Sequence, residues 1–109
     1  MITLTFKNGT VSVGDIFASS WGYEQTNVNF YQVISVHGKV TVTVRKIRAS
    51  VNSTHPGRGY KTPLMNEFFG EPLKRRVRDY HSVPAIDIEY FETAYKASPE
   101  EQHEFTSYY

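Results

Sequence analysis

The chain has 109 residues, room for one domain with a modest core, and no cysteine, which excludes disulfides and cysteine-ligated zinc. Twelve Lys and Arg against eleven Asp and Glu leave a formal charge of +1, so the total charge points to no partner. No apolar run approaches the roughly 18–20 residues that span a bilayer, and Met1–Phe6 lacks the regions of a signal peptide, so the expectation is a single cytoplasmic domain over residues 1–109 with no membrane partner.

Ile2, Leu4 and Phe6 alternate with Thr3 and Thr5, the period of a half-buried strand. Asn8-Gly9 follows, a pair suited to a type I′ hairpin turn, and Val11 and Val13 resume the alternation. Gly14-Asp15 interrupts the strand. Residues 14–33 then read as a second hairpin: a strand into Trp21, a polar connection Glu24-Gln25-Thr26-Asn27, and a strand out from Val28. Val28 to Val36 carries apolar groups on both faces, which predicts a central, bent strand. His37-Gly38-Lys39 is a tight turn, and Val40, Val42 and Val44 against Thr41, Thr43 and Arg45 form the cleanest strand, ending near Ile47. Residues 16–48 thus predict a three-stranded meander.

Residues 49–61, rich in Ser, Asn, Gly and Pro and without periodicity, read as a long flexible loop. Residues 64–69 read as a helical turn or an extended arm anchored by Phe68 and Phe69. Leu73–Arg78 is a strand with a basic outer face, and residues 85–91 a strand with Asp87 and Glu89 outward; as a hairpin the two would neutralise much of each other. Ser98-Pro99-Glu100-Glu101 has the form of a helix start, with Ser as cap, Pro at the first position and Glu three residues on. One or two turns are expected over 99–104, then a β-prone end, Phe105–Tyr109. The fold class is mostly β: a strongly bent antiparallel meander or partly open SH3- or OB-like barrel with short helical turns.

Catalytic constellations are not visible. His37, His55, His81 and His103 have no metal-binding spacing, Ser19-Ser20 sits in no GxSxG elbow, and Gly57-Arg58-Gly59 lacks the strand, helix and lysine of a phosphate loop. No cofactor, no metal and no enzymatic activity are expected; the chain acts by contact. Two features suit contact. The first is the hairpin set Trp21, Tyr23, Glu24, Gln25, Thr26, Asn27 and Tyr31, either a recognition tip or side chains that hold a tight connection. The second is charge segregation: residues 39–78 hold ten basic and two acidic residues, residues 79–109 seven acidic and one basic. Arg45, Lys46, Arg48, Arg58, Lys61, Lys74, Arg75, Arg76 and Arg78 either pair with the acidic segment across neighbouring strands or form a face for an anionic partner.

The stretch Gly14-Asp15-Ile16-Phe17-Ala18-Ser19-Ser20-Trp21-Gly22-Tyr23-Glu24-Gln25-Thr26-Asn27-Val28-Asn29-Phe30-Tyr31-Gln32-Val33 resembles a signature of small uncharacterised bacteriophage and mobile-element proteins. The likeness continues loosely through the Val40–Ile47 strand. Near the end, Ala94-Tyr95-Lys96-Ala97 and Ser98-Pro99 stand where such proteins carry a Trp-Asp-Gly-like turn. The resemblance supplies no catalytic residue. It implies a phage accessory protein in a bacterial host: an anti-CRISPR-like inhibitor that occludes the surface of a host defence complex. The alternative is a small nucleic-acid- or nucleotide-binding β-barrel.

Overall fold

The computed structural model describes residues 3–22 and 26–106. Ten strands run β1 (Thr3–Phe6), β2 (Gly9–Ser12), β3 (Ile16–Trp21), β4 (Asn27–His37), β5 (Thr41–His55), β6 (Arg58–Phe68), β7 (Leu73–Arg78), β8 (Ala85–Glu89), β9 (Glu92–Ala97) and β10 (His103–Thr106). Every pairing between them is antiparallel. There is no helix among the described residues, hence none long and apolar enough to cross a membrane.

Pairing of β5 with β7 closes the sheet into a six-stranded barrel in the order β3, β4, β5, β7, β8, β9 and back to β3. Alternation explains its core. Phe17, Tyr31, Val33, Val42, Val44, Val77, Ile86, Ile88 and Ala94 point inward, and Leu4 and Val11 of the β1–β2 hairpin join them at one end. The opposite faces of β3, β4 and β5 bear a second cluster, Ile16, Ala18, Val28, Phe30 and Ile47. Phe68 of β6 and Phe105 of β10 cover it. β4 is therefore buried on both sides, as its two apolar faces predict. Its bulge lies between Val33 and Ser35 and shifts the alternation so that Val36 also packs on the barrel core.

Several expectations are corrected. The β1–β2 turn is Lys7-Asn8, with Phe6 opposite Gly9, one residue earlier than an Asn8-Gly9 turn. The expected loop at 49–61 is the far half of β5 and the near half of β6, an arm projecting from the barrel. Pro56-Gly57 makes its two-residue turn: proline supplies a fixed negative φ, and Gly57 takes φ +80°. Periodicity is missing because the β5 part of the arm, past Ala49, buries neither face: Ser50, Val51, Asn52 and Ser53 are all exposed.

Residues 64–68 are strand, not helix, bent at Asn66, whose φ of +67° lies in the left-handed region. Residues 99–104 also form no helix. Ser98 does bond Glu100 locally, through Oγ at 2.5 Å to Oε2, but the chain then extends into β10 so that Phe105 reaches the second cluster. The strand expected over 85–91 ends at Glu89. Tyr90-Phe91 is a turn, and β9, which sequence reasoning did not resolve, returns beside β3. Ile2 and residues 107–109 of the predicted terminal strands lie outside the described residues.

Candidate recognition surface

β4 and β5 stay paired from His37–Thr41 down to Phe30–Ile47 and then part. β5 continues as the arm with β6, while β4 runs on to the tip of its own hairpin. The wedge between them is a cavity of about 340 Å³ lined by Val28, Asn29 and Phe30 on one wall, Ile47, Arg48, Ala49 and Val51 on the other, and Lys61, Leu64 and Phe69. Its lining contains two cations and no carboxylate.

Phe69, half exposed at 50%, is the platform of this wedge. The Arg48 guanidinium lies 5.2 Å from its ring centre and the Lys46 ammonium 5.9 Å. Its position is held by backbone: Phe69 N–H donates to Lys46 O at 3.1 Å, and Arg45 Nε donates to Gly70 O at 2.7 Å. Gly70 passes so near β5 that a Cβ there would stand 2.9 Å from Lys46 Cβ. Arg45 also stacks over Phe68 at 5.1 Å. Lys61 spans the arm root, 5.0 Å over the Phe105 ring and 3.5 Å from Val28 O.

Beside the wedge, past Phe69 and Gly70, the barrel mouth is a cavity of about 240 Å³. Tyr31, Lys46, Glu71, Glu89 and Glu92 line it with Leu73 and Ile88. Glu92, only 4% exposed, gathers three neutral donors on Oε2: Ser19 Oγ at 2.5 Å, Tyr31 Oη at 2.8 Å and Asn29 Nδ2 at 3.2 Å. Burial, the hydrogen bond to Glu92 and the charges of Glu92 and Glu89 push the Tyr31 hydroxyl far above the ordinary tyrosine range. Ser19 and Glu92 stand 73 residues apart and belong to no motif; only the β3–β9 pairing brings them together. Among the described residues no group of three His, Asp or Glu side chains is arranged to hold a metal.

The expected hairpin site is divided. Tyr23, Glu24 and Gln25 lie outside the described residues. Tyr31 is a correction: it is 2% exposed, because its place in the β4 alternation turns it into the barrel. Thr26 N–H donates to Thr106 Oγ1 at 2.9 Å and Thr106 N–H to Thr26 O at 3.1 Å, so Thr26 docks β10. Asn27 opens β4 opposite Trp21. Trp21 is half-buried, its ring 5.3 Å from that of Phe91 in an edge contact.

The basic set is divided too. Arg78 pairs with Asp87 at 3.4 Å and Arg58 with Glu104 at 4.0 Å, as pairing with the acidic segment predicts. Arg75 caps the carbonyls of Asp87 and Ile88, each at 3.0 Å. Lys74 and Arg76 are exposed on β7, opposite Thr43 and Thr41 of β5. Arg45, Lys46, Arg48 and Lys61 gather around Phe68, Phe69 and Phe105.

No protein-family model, no curated protein and no solved structure matches the chain.

Proposed function

We propose that this protein is a non-catalytic binding module whose β4–β5 wedge takes a single-stranded nucleic acid. The observation that carries this reading is a half-exposed ring, Phe69, set between Lys46 and Arg48 at the edge of a cavity with cations and no carboxylate in its walls. A ring flanked by cations suits a base stacked on its face with phosphates beside it, the recurring design of strand-binding grooves. The test is fluorescence anisotropy with labelled oligonucleotides across a salt series. Affinity falls as salt rises, with a log–log slope of about 0.7 per phosphate engaged. No binding at about 50 mM salt, or binding indifferent to salt, removes the reading.

A second reading follows from another surface. Tyr90 is 99% exposed and Phe91 51%, and their rings stack edge-on with each other at 5.1 Å and, through Phe91, with Trp21. The indole N–H of Trp21 has no partner among the described residues. Exposed aromatic groups of this kind anchor protein interfaces. They suit the anti-defence role that the likeness of residues 14–33 to phage proteins implies. Inhibition of a purified RNA-guided nuclease complex, lost on Phe91→Ala and Tyr90→Ala, would support that role; a nuclease left fully active by the intact protein would remove it for that complex.

A further inference from the structure

We infer that a second copy of this chain adds its own β5 to the free edge of the arm, joining two arms into one continuous antiparallel sheet. On one side, β5 pairs with β6 in one register from Ala49–Pro63 to Ser53–Gly59 and, past a bulge, at His55–Arg58. On the other side β4 has already departed, its last pairing being Phe30 with Ile47, and no strand among the described residues replaces it. Beyond Ala49 this edge therefore presents a row of backbone donors and acceptors to solvent.

Such edges are normally guarded by Lys, Pro, a bulge or brevity. Here the ladder with β6 shifts only on either side of the segment, between Ile47 and Ala49 and between Ser53 and His55, and Ala49–Ser53 itself runs regularly against Gly59–Pro63. Ala49-Ser50-Val51-Asn52-Ser53 carries no charge and no proline, and Val51 is 55% exposed. The first proline, Pro56, sits in the turn beyond. The opposite face of the arm is closed, since β10 occupies the outer edge of β6. An arm with one covered edge and one bare edge can add one strand and then stops.

The chemistry of the edge selects a copy of itself. Antiparallel pairing about a two-fold axis places each residue opposite its mirror position. With the axis at Val51, Ser50 faces Asn52 and Arg48 faces position 54. With the axis at Asn52, Arg48 faces Pro56. In both registers the neutral segment meets itself and Arg48 avoids its own copy, so no like-charge pair opposes the contact. The contact would lie along the wall of the wedge that Arg48, Ala49 and Val51 form, so a second copy and an oligonucleotide would compete for that wall, and the contact is tested on the chain alone.

The test uses the full chain without oligonucleotide. Sedimentation equilibrium should show the mass rising from monomer toward dimer with concentration. Backbone amides between Ser50 and Ser53 that face the free edge should become more protected from hydrogen exchange over the same range. The double variant Ser50→Lys with Asn52→Lys, both exposed positions, brings lysines opposite lysines in the Val51 register and two Asn52→Lys side chains together in the other; it should remain monomeric with an unchanged circular dichroism spectrum. A wild-type chain that stays monomeric at every concentration overturns the inference. So does a dimer that the double variant leaves intact, or one whose formation does not alter exchange in Ser50–Ser53.

Discussion

Glu92 shows how much one side chain can organise. It is a carboxylate inside a β-barrel, yet every contact to its Oε2 is a neutral donor, so the three hydrogen bonds stand in for the water it has lost. Glu92→Ala strands the hydroxyls of Ser19 and Tyr31 in a buried space. At about 1–3 kcal/mol for each donor left alone, the variant should lose several kcal/mol in urea unfolding, a large part of the stability of a domain this size. Tyr31→Phe keeps the ring and removes one bond to the carboxylate, so its cost at neutral pH should be about 1.5–3 kcal/mol, less than that of Glu92→Ala. The two variants also differ in pH response. Because the Tyr31 hydroxyl resists ionisation in the fold, the unfolded chain releases that proton first, once pH passes about 10. Stability from Tyr31 is complete below that pH and drains away above it. Tyr31→Phe should lose less stability than wild type between neutral and strongly alkaline pH, read as the difference between their unfolding midpoints.

β6 is where local propensity and tertiary contact meet at the level of an element. Between Ala49–Pro63 and Ile47–Phe68, β5 advances two residues while β6 advances five, so Leu64–Glu67 must bow out of the ladder. Asn66 absorbs the bend at φ +67°, a conformation that asparagine tolerates better than most residues. Its amide then locks onto Gln32 in both directions: Gln32 Nε2 donates to Asn66 Oδ1 at 2.9 Å, and Asn66 N–H donates to Gln32 Oε1 at 2.8 Å. Asn66→Val adds strain at positive φ to the loss of the clamp. It should destabilise the chain by about 1–3 kcal/mol more than the exposed neighbour Met65→Val, measured by thermal unfolding. Asn66→Gly, which removes the strain but not the clamp loss, should fall between them. Phe69→Ala belongs to the same element boundary: it leaves the fold intact because the ring is half exposed, and should weaken oligonucleotide binding by about 1–3 kcal/mol.

For the molecule as a whole, closure is the decisive event. β7 and β8 share only two register pairs, Val77–Ile86 and Arg78–Ala85. Past them the seam is carried by the Arg75 guanidinium, which donates to the carbonyls of Asp87 and Ile88 as a neighbouring strand would. Arg75→Met keeps the stem and removes the fork. It should speed hydrogen exchange along β7 and β8 more than along β3 and β4, since the barrel opens first at its weakest ladder.

Strand positions for β1, β2, β4, β7 and β8 follow from alternation that any chain must obey when one face is buried, and the hairpin at Trp21 and the pairing of basic β7 with acidic β8 are legible in the same way. The arm was hidden because its β5 segment buries neither face and so shows no period. The helix expected after Ser98 was a sound local signal overruled when Phe105 found a place on the outer cluster. Tyr31 could not be told from a surface tyrosine, because β4 is apolar on both sides and only barrel curvature decides which side is inside. Local pattern alone thus determined a mostly β chain built around a bent meander, with two helical turns that the tertiary structure replaced by strand, since periodicity is a property of neighbours in sequence. Closure, the Glu92 cluster and the basic wedge were decided by the tertiary structure alone: each is made by residues dozens of positions apart, and no local pattern encodes which distant strand will come to lie beside another.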